Sequence, residues 1–222
     1  MPRTEEAKQR MREEQRIKIL EAARRVFARK GLAATMDDVA AEASVSHGLA
    51  YRYFATKEAI VRTLIEQALQ APAAVLQRIQ EMPGTPGLLL SFKRSSTLLL
   101  QRIQEMPGTP GERLNFLVSA FVESRREHPE LYQLLDQVLH DEAMPDDFRE
   151  IVHRRVQVLQ NMLRELIVEG QATGEVAAGD PDQLVRAILA CLDGLTTWGA
   201  SYPEHDNEHF PDAGIFLRML KP

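Results

Sequence analysis

The sequence predicts an all-α protein, and three observations lead to that prediction. Apolar residues recur at helical spacing along most of the chain, as they do at Leu20, Ala23 and Phe27. Capping residues precede many of these apolar segments, and glycine or proline follows several of them. No strand pattern alternates with a helix anywhere in the 222 residues.

The N-terminal helix is expected to have two parts. Residues 3–16 are mostly charged, with Glu6 and Arg10 at helical spacing, and should form a frayed extension with a solvated face. Residues 17–30 carry the apolar stripe and form the helix proper. Gly31 is its stop signal, because glycine accepts the backbone conformation that commonly ends a helix.

Residues 35–57 predict two short helices joined by a tight turn. Thr35 is a favourable N-cap, and Asp38 three residues later resembles a capping box in which Asp replaces the usual Glu. Ser46 can cap the second helix, directly after Val45, which should fill the space between the pair. The first helix presents one small apolar face, formed by Val39, Ala40 and Ala43.

This layout is that of a helix-turn-helix, which needs small residues where its helices cross and a second helix whose N-terminal end faces a groove. An ordinary helical hairpin inside a core is the alternative. A core would not collect four phosphate-seeking side chains on one rim, which argues against that alternative. The four are Tyr51, Arg52, Tyr53 and Lys57. The segment therefore indicates binding to nucleic acid.

Residues at fixed spacing extend this pattern in both directions. They are Ile19-Leu20-Glu21-Ala22-Ala23, Val26-Phe27, Gly31, Thr35, Val39-Ala40, Val45-Ser46, Gly48, Tyr51, Tyr53-Phe54 and Lys57-Glu58. The set resembles the DNA-binding signature of the TetR/AcrR family of transcriptional repressors. Two positions depart from the family pattern, since Ser44 stands in place of the turn glycine and Ala50 replaces a larger aliphatic residue. Serine accepts φ > 0 less readily than glycine, so mild strain is expected in the turn.

The resemblance implies a three-helix DNA-binding head, residues 1–58, on a larger helical effector-binding and dimerisation body, residues 59–222. The residues expected to contact phosphates are Thr35, Tyr51, Tyr53 and Lys57. Those expected to face base edges are Ser46, His47, Gly48 and Leu49. Leu49 can pack on a thymine methyl, and Arg52 is the long donor able to reach guanine.

The charge of the chain is divided unevenly. Its net charge of −5, taken alone, argues against nucleic acid. Residues 1–58, however, hold 12 Lys/Arg against 9 Asp/Glu, whereas the remaining residues hold 15 against 23. A mildly basic end on an acidic body fits a protein that contacts DNA at one end only. Residues 3–16 could be a DNA-contacting arm, but their 5 basic and 4 acidic side chains favour a solvated face.

The chain is expected to be a cytoplasmic protein. No apolar run approaches the ~18 residues of a membrane span, and the charged N-terminus does not resemble a signal peptide. Its one cysteine, Cys191, excludes a disulfide within the chain and fits a reducing compartment. Cys191 lies in an apolar stretch and is expected to be a small buried hydrophobe rather than a redox sensor.

Thr56 can cap a long helix over residues 57–81 that links the head to the body. This helix leads into a repeat, because the twelve residues 76–87 (LQRIQEMPGTPG) recur without change at 100–111. Two identical runs of this length exclude chance, and a single pair is not a solenoid array. The repeat therefore indicates an in-frame tandem duplication or an introduced segment.

Helix-start chemistry distinguishes the two copies. Thr109-Pro110-Gly111-Glu112 supplies a cap, a first-turn proline and a Glu at the third helical position. The first copy continues with Leu88 in place of Glu112. The second copy is therefore expected to start the next helix, and the segment near 88–111 is expected to be an insertion. Its apolar residues need an extra helix packed on the body or on a partner: Leu88, Leu89, Leu90, Phe92, Leu98, Leu99, Leu100 and Ile103.

Further helices are expected at residues 110–126, 129–140, 147–172 and 180–198, with a short final helix at 215–220. Gly174 and the sequence Asp180-Pro181-Asp182-Gln183 mark a stop and a start. The last two helices carry a broad apolar surface, formed by Leu184, Ile188, Cys191, Leu192, Leu195, Ile215, Phe216, Leu217, Met219 and Leu220. The resemblance implies that residues 184–198 and 215–220 form the four-helix interface of a homodimer.

The resemblance also implies a site for a small-molecule effector in the body. Candidate lining residues are Phe121, Tyr132, Leu135, Leu139, Phe148, Val152, Val156, Leu159, Met162 and Trp198. Such a stripe is more often plain core, and only some of its members can line a cavity. Few charges interrupt it, so the effector should be largely apolar, with Tyr132, Gln137 or Arg155 orienting a polar group.

Two interpretations of the whole chain follow. The first is a repressor that such an effector releases from a palindromic operator. The second is a DNA-binding regulator without a small-molecule ligand, either an activator, an architectural protein or a protein-triggered one. A helical lyase or hydrolase would need convergent polar groups, and the chain has neither a glycine-rich phosphate loop nor a Gly-x-Ser-x-Gly elbow.

No catalytic residue, cofactor or metal site is expected. The best metal candidates are His140-Asp141-Glu142 with His153, and His205 with His209. Both groups lie in polar sequence that is typical of solvated histidines rather than of metal ligands. The carboxylate pair Asp146-Asp147 fits a helix N-terminus, where acidic groups complement the helix dipole.

Overall fold

The computed structural model describes residues 5–82, 102–140, 146–201 and 210–222, with the side chains of residues 198–201 excepted. These residues form helices and turns and contain no β-strand. The α-helices are α1 (Glu5–Lys30), α2 (Met36–Glu42), α3 (His47–Tyr53), α4 (Lys57–Ala68), α5 (Ala73–Gln80), α6 (Pro110–Glu127), α7 (Pro129–His140), α8 (Asp146–Ala172), α9 (Pro181–Ser201) and α10 (Ala213–Arg218). The all-α prediction is confirmed.

The first of two compact units comprises residues Met1–Leu69 and Glu130–Arg149. Its α1 continues without a break through the charged N-terminal residues, and a 3₁₀ turn at Gly31–Ala33 follows it. α1 packs against α2 and α4, and α2 packs against α3. The buried apolar residues of this unit include Ile19, Leu20, Ala23, Phe27, Val39, Ala40, Ala43, Ile60 and Leu64. The stripe predicted for α1 and the small face predicted for α2 are therefore both confirmed.

The single long helix predicted over residues 57–81 is wrong. Thr56 caps α4 as expected, with its Oγ1 accepting a hydrogen bond from the Ala59 amide at 3.2 Å. α4 then ends at Ala68, and α5 begins after Pro72. Proline has no amide to donate, its ring clashes with the carbonyl four residues earlier, and it disfavours the α conformation in the residue before it. Pro72 therefore interrupts the single helix that the apolar pattern alone predicts.

The second unit comprises residues Gln70–Pro129 and Glu150–Pro222. α6 is its central helix, because α5, α9 and α10 all pack against it. Its deeply buried large side chains include Ile79, Ile103, Leu114, Leu117, Leu163, Leu166 and Ile167. The two units are defined by how the chain packs, not by function. The predicted division into a DNA-binding head, residues 1–58, and an effector-binding and dimerisation body, residues 59–222, stays a prediction.

Both copies of the repeat contribute to the core of the second unit. Ile79 and Met82 of the first copy are buried, and so are Ile103 and Met106 of the second. In each copy the methionine amide donates to the isoleucine carbonyl, at 3.1 and 3.2 Å. Residues 102–104 are helical as well, so the helix of each copy ends in a turn of the same kind. Residues 83–101, which include most of the predicted inserted helix, lie outside the described residues.

α6 begins where the second copy of the repeat predicts. The Glu112 amide donates to Thr109 Oγ1 at 3.3 Å, and the Thr109 amide donates to the Glu112 carboxylate at 2.9 Å. Glu175 adds a second carboxylate, which accepts from the Thr109 hydroxyl and, at 3.0 Å, from the Gly111 amide. A Cβ at Gly111 would lie 2.5 Å from Glu175 Oε2, so a larger residue at this position would displace the carboxylate. The predicted capping box is confirmed, and Glu175 reinforces it.

The remaining helix ends agree with the sequence except at the C-terminus. Gly174 follows α8 with φ +73, as expected for a stop. Asp180 caps α9, since its Oδ1 accepts from the Asp182 amide at 2.8 Å. The final helix begins and ends two residues earlier than the predicted 215–220, because α10 runs from Ala213 to Arg218 and a turn follows.

Candidate nucleic-acid interface

α2 begins at a capping box that also fixes it to α1. The Thr35 amide donates to Asp38 Oδ2 at 2.9 Å, and the Asp38 amide donates to Thr35 Oγ1 at 3.2 Å. Lys30, the last residue of α1, donates to the other Asp38 oxygen at 2.6 Å. The bonds from Lys30 and Thr35 lower the pKa of Asp38 from 3.8 to about 2. Asp38 is therefore ionised at neutral pH and holds the start of α2 against the end of α1.

The other end of α2 is held to α1 as well. Glu42, the last residue of α2, accepts from Arg25 Nε at 2.9 Å and from Arg29 Nη2 at 2.5 Å. The guanidinium groups of Arg25 and Arg29 lower the pKa of Glu42 below its ordinary value. Because α2 is held at both ends, it forms a fixed support for α3.

The turn between α2 and α3 contains the strain that the sequence predicts. Ser44 has φ +52, in the left-handed region that glycine usually occupies. The Val45 amide donates to the Ala40 carbonyl at 3.0 Å, and the Val45 side chain is half-buried between the helices. Ser46 Oγ then accepts from the Leu49 amide at 3.2 Å and caps α3. The helix-turn-helix is confirmed.

α3 presents an exposed N-terminal face. Ser46, His47 and Gly48 are exposed, and Leu49 is half-buried. A Cβ placed on Gly48 would meet no atom of the described residues within 4 Å. The packing of the chain therefore gives no reason for glycine at this position. The four residues predicted to face base edges lie together on one turn.

The residues predicted to contact phosphates are all at least partly exposed. Thr35 and Tyr51 are exposed, and Tyr53 is half-buried. The exposed Arg52 places its guanidinium 5.8 Å from the centroid of the Tyr53 ring. This contact places Arg52 beside the Tyr53 ring at the C-terminal end of α3.

Lys57 has a structural contact that the sequence did not predict. Its Nζ donates to the Leu32 carbonyl at 2.7 Å, which joins the start of α4 to the 3₁₀ turn after α1. An ammonium group has three donors, so this bond leaves two for a phosphate. The spacing of 25 residues between the partners explains why no local pattern indicated the contact.

The sequence also missed the surroundings of His47. Its Nε2 lies 3.0 Å from Asp37 Oδ1, and its ring meets the Tyr51 ring edge-on with centroids 4.5 Å apart. The i, i+4 spacing of His47 and Tyr51 could have indicated the second contact. The first joins α2 to α3 across the turn, and no sequence pattern pointed to Asp37.

Arg62 of α4 contacts the start of α8 within the first unit. Its Nη2 donates to Asp147 Oδ2 at 2.5 Å, and its guanidinium lies 4.5 Å from the centroid of the Phe148 ring. Phe148 is almost fully buried, and Asp147 lies in the first turn of α8 as predicted. The partners of Arg62 are distant in sequence, so only the fold shows this contact.

The residues predicted to bind an effector are divided between the two units. Tyr132, Leu135, Leu139 and Phe148 belong to the first unit, and Phe121, Val152, Val156, Leu159, Met162 and Trp198 to the second. Four of them are buried, namely Tyr132, Phe148, Val152 and Met162. Phe121 and Leu159 are half-buried against the core of the second unit, and the side chain of Trp198 lies outside the described part. The effector site stays a prediction.

A groove of about 670 Å³ lies within the second unit, between α6 and residues 210–217. Its wall includes Phe116, Ser119, Glu123, Arg126, Asp212 and Leu217. None of the predicted effector residues lines it. The groove therefore adds no support to the predicted effector site.

The apolar surface predicted to form a dimer divides into core and exposed residues. Leu192 and Leu195 of α9 are only 2% and 6% exposed in the single chain and belong to the core of the second unit. A charge at either leucine therefore disturbs the chain itself, so it cannot test an interface. Ile215 and Met219 are 54% and 68% exposed. These two large apolar side chains are exposed in the single chain.

The structure describes only some of the candidate metal ligands, and it describes Cys191. In the described ranges, no group of three or more His, Cys, Asp or Glu side chains is placed to hold a metal ion. Asp141, Glu142, His205 and His209 lie outside those ranges. Cys191 is half-buried rather than buried, and its thiol is free. Among the helices described, none has both the length and the apolar character needed to cross a membrane.

Two protein-family models match the chain. The model described as "Bacterial regulatory proteins, tetR family" matches residues 19–64, which contain the helix-turn-helix. The model described as "Tetracyclin repressor-like, C-terminal domain" matches residues 107–201, from the second copy of the repeat to the end of α9. Together the two matches cover well over half of the chain.

Individual proteins are similar over shorter or more divergent stretches. The HTH-type transcriptional repressor Rv3405c of Mycobacterium tuberculosis is 36% identical over 83 residues, 33% of this chain and 44% of the relative. The match thus spans less than half of that relative. MbdR of Azoarcus sp. CIB has a TM-score of 0.67 at 20% identity, over 92% of this chain and 94% of that one. FadR of Bacillus subtilis, solved with stearoyl-CoA, has a TM-score of 0.60 at 19% identity, over 91% and 96%.

The geometry and the comparisons agree on the N-terminal region. The first family match covers the exposed face of α3 and the elements that support it. The solved structures share the fold over almost the whole chain. The chain belongs to the TetR family of transcriptional regulators.

Proposed function

We propose that the chain is a transcriptional repressor, which binds palindromic double-stranded DNA as a homodimer and is released by a small, largely apolar effector. The observation that carries the proposal is the exposed N-terminal face of α3, on a helix-turn-helix that α1 holds at both ends of α2. Similarity to the HTH-type transcriptional repressor Rv3405c supports it. The relatives are regulators, which argues against an enzyme, and a cytoplasmic location is part of the proposal.

The head is proposed to use two kinds of contact. Phosphate contacts fix its position and make affinity depend on salt, whereas base contacts set sequence preference. The phosphate set is Thr35, Tyr51, Tyr53 and Lys57, and the base-facing set is Ser46, His47, Gly48, Leu49 and Arg52. Gly48 supports this assignment, because the packing of the chain does not need glycine there. A missing side chain lets the backbone of α3 approach a groove closely.

The dimer is proposed to form through α9 and residues 215–220. Ile215 and Met219 are large apolar side chains left mostly exposed by the single chain. Burial against a second copy would remove this apolar surface from water. A two-fold dimer presents two α3 helices to successive major grooves, so its operator should be palindromic.

The effector is proposed to be largely apolar. The candidate lining residues named above are nearly all apolar, and FadR, which shares the fold, was solved in complex with stearoyl-CoA. Acyl-chain amphiphiles are therefore the first compounds to test. The alternative is a regulator without a small-molecule ligand, acting as an activator, an architectural protein or the target of a protein signal.

A thermal-shift screen with and without operator DNA separates these two functions. Operator DNA can be obtained by selection from a random duplex pool. An effector should raise the unfolding temperature of the free protein, since a ligand at about 100 times its Kd adds about 2.7 kcal/mol to the stability. The same compound should weaken operator binding measured by fluorescence anisotropy. If no amphiphile alters either quantity while the operator still binds, the alternative function is favoured.

A further inference from the structure

The groove of the second unit runs along one face of α6. The α6 residues in its wall recur at helical spacing, with Phe116 and Ser119 toward one end and Glu123 and Arg126 toward the other. An α-helix rises about 1.5 Å per residue, so this stripe is roughly 15 Å long. The groove of about 670 Å³ also falls within the range of small-molecule sites, about 300–1,000 Å³. Its size and length suit an extended ligand.

Apolar side chains form part of the wall. Phe116, Phe210 and Leu217 line the groove and are half-buried, so part of each side chain still meets solvent. A ligand with an apolar body would remove this surface from water. The faces of aromatic rings also attract cations. The wall therefore favours an apolar body, and its two phenylalanine rings are compatible with a positive charge.

Among the described residues, the charged side chains of the wall carry a negative excess. Glu123, Arg126 and Asp212 together supply two carboxylates and one guanidinium. Arg126 donates to Glu123, so these two charges largely offset each other. Asp212 Oδ1 accepts from the Gly214 amide at 2.6 Å, a bond that brings no cation into the groove. One negative charge is left in excess, and it complements a ligand with one positive charge.

We propose that this groove is a binding site for an elongated cation of the alkylammonium class. The alkyl chain lies against the apolar part of the wall, and the ammonium group meets the carboxylates of Glu123 and Asp212. The Ser119 hydroxyl, one turn before Glu123, can accept a hydrogen bond from the same ammonium group. The site is separate from the predicted effector residues, none of which lines the groove. The inference thus goes beyond the proposed function, and its test needs no DNA.

Isothermal titration calorimetry of the full chain at about pH 7 tests the class of ligand. The three probes share an octyl chain and differ in charge, namely octylammonium, 1-octanol and octanoate. Octylammonium should bind about fivefold more tightly than octanoate, with octanol between them, because an exposed charge contact changes affinity only a few-fold. The difference between the charged probes should shrink at high salt, where exposed charges are screened.

Two pairs of variants locate the site. Ala74→Trp fills the groove from an exposed position of its wall and should remove most octylammonium binding, whereas Ala73→Trp, exposed but outside the wall, should not. Asp212→Asn removes the charge and keeps an oxygen for the Gly214 amide. This variant should bind octylammonium about threefold more weakly and octanol as before. Glu127→Gln, an exposed residue of α6 outside the wall, is the charge control and should bind all three probes like wild type.

Four results would overturn the inference. Wild type could fail to bind octylammonium, or octanoate could bind as tightly as octylammonium. Ala74→Trp could fold like wild type and retain full binding, or Asp212→Asn could retain the full preference for the cation. If Ala74→Trp does not unfold cooperatively, Ala74→Met replaces it, and retained binding has the same meaning. The proposed function is judged separately, because the titrations contain no DNA.

Discussion

Lys57 shows how one side chain of the head serves the fold and the proposed DNA contact together. Its ammonium donates to the Leu32 carbonyl at 2.7 Å, yet it remains partly exposed beside α3. Because the Leu32 bond fixes the stem of the side chain, the other two N–H groups are pre-positioned. A side chain that is already ordered loses less conformational entropy when it meets a phosphate.

Lys57→Ala should weaken binding to every DNA sequence by a similar factor. The slope of log affinity against log salt should become shallower by about 0.9, since one phosphate contact is lost. The variant should also lose about 1 kcal/mol of unfolding free energy with the Leu32 bond. Anisotropy titrations at several salt concentrations give the slope, and Lys18→Ala, an exposed lysine of α1, is the control. A variant that keeps the slope but changes sequence preference would show that Lys57 contacts bases.

At the residue scale, the sequence predicts the contacts between residues that are close in sequence. It does not predict the contact that crosses the turn between α2 and α3. Thr35, Asp38 and Ser46 form the expected caps, and Ser44 has the expected positive φ. Each of these features depends on residues within a few positions in sequence. The approach of Asp37 to His47 depends on the angle between two helices, which no local pattern specifies.

At the element scale, the division between α4 and α5 shows the limit of apolar periodicity. The apolar pattern continues across Pro72, but the helix does not. Proline removes a backbone donor and disfavours the helical conformation in the preceding residue. The start of α6 shows the opposite case. There the cap, the first-turn proline and Glu112 all indicate the same boundary, and the helix begins at that boundary.

Glu175 should make the start of α6 sensitive to pH. Hydrogen bonds from the Thr109 hydroxyl and the Gly111 amide lower the pKa of Glu175 below its ordinary 4.5. A carboxylate whose pKa is lowered by folding adds stability above its unfolded value, and that contribution is lost as pH falls through the folded-state value. Glu175→Gln should therefore unfold at a lower denaturant concentration than wild type near pH 7. This difference should shrink as pH falls below about 4.5.

Urea unfolding followed by circular dichroism at several pH values measures the effect. Glu127→Gln, an exposed residue at the other end of α6, is the matched control and should show a much smaller pH-dependent difference. If Glu175→Gln differs from wild type equally at pH 3 and pH 7, Glu175 acts through packing and not through its charge.

At the scale of the whole molecule, the sequence indicated that α9 carries more apolar surface than a solvated helix. It could not indicate what covers that surface. Leu192 and Leu195 face the core of their own unit, whereas Ile215 and Met219 are mostly exposed. An apolar stripe has the same appearance in sequence whether its partner is the same chain or a second copy.

Ile215→Glu and Met219→Glu should each convert the proposed dimer to monomers. A charge buried in an interface without a partner costs several kcal/mol, whereas in a free chain it stays in water. Light scattering gives the mass in solution, and Met11→Glu, at a residue 46% exposed on α1, should leave the mass unchanged. Leu195→Glu should instead lower the stability of the chain itself. If both C-terminal variants remain dimeric, the interface lies elsewhere.

Removing one repeat unit should leave a folded protein with operator affinity within about twofold of wild type. Deletion of residues 76–99 or 88–111 yields the same chain, so the test does not depend on which copy came first. The single copy restores the Thr-Pro-Gly-Glu start of α6, against which α5 already packs. An insertion costs only ~0.6 kcal/mol per doubling of loop length, so its removal should change little. The effector response is the property expected to change.

Denaturant unfolding and operator binding of the deletion variant are compared with those of the full chain. The remaining copy still supplies one isoleucine and one methionine of the four that both copies bury. Loss of cooperative unfolding would show that the second buried pair is needed, and that the repeat has become part of the core.

The central claim is that a two-fold dimer of this chain recognises DNA through α3. Selection of duplexes from a random pool by the full chain, followed by sequencing and footprinting, tests it most directly. We predict enrichment of an inverted repeat whose half-site centres lie one helical turn, about 10 base pairs, or a multiple of it apart. Enrichment should disappear when Arg52 and Lys57 are both replaced by alanine. Recovery of unselected sequences, or of a single half-site without an inverted partner, would contradict the claim.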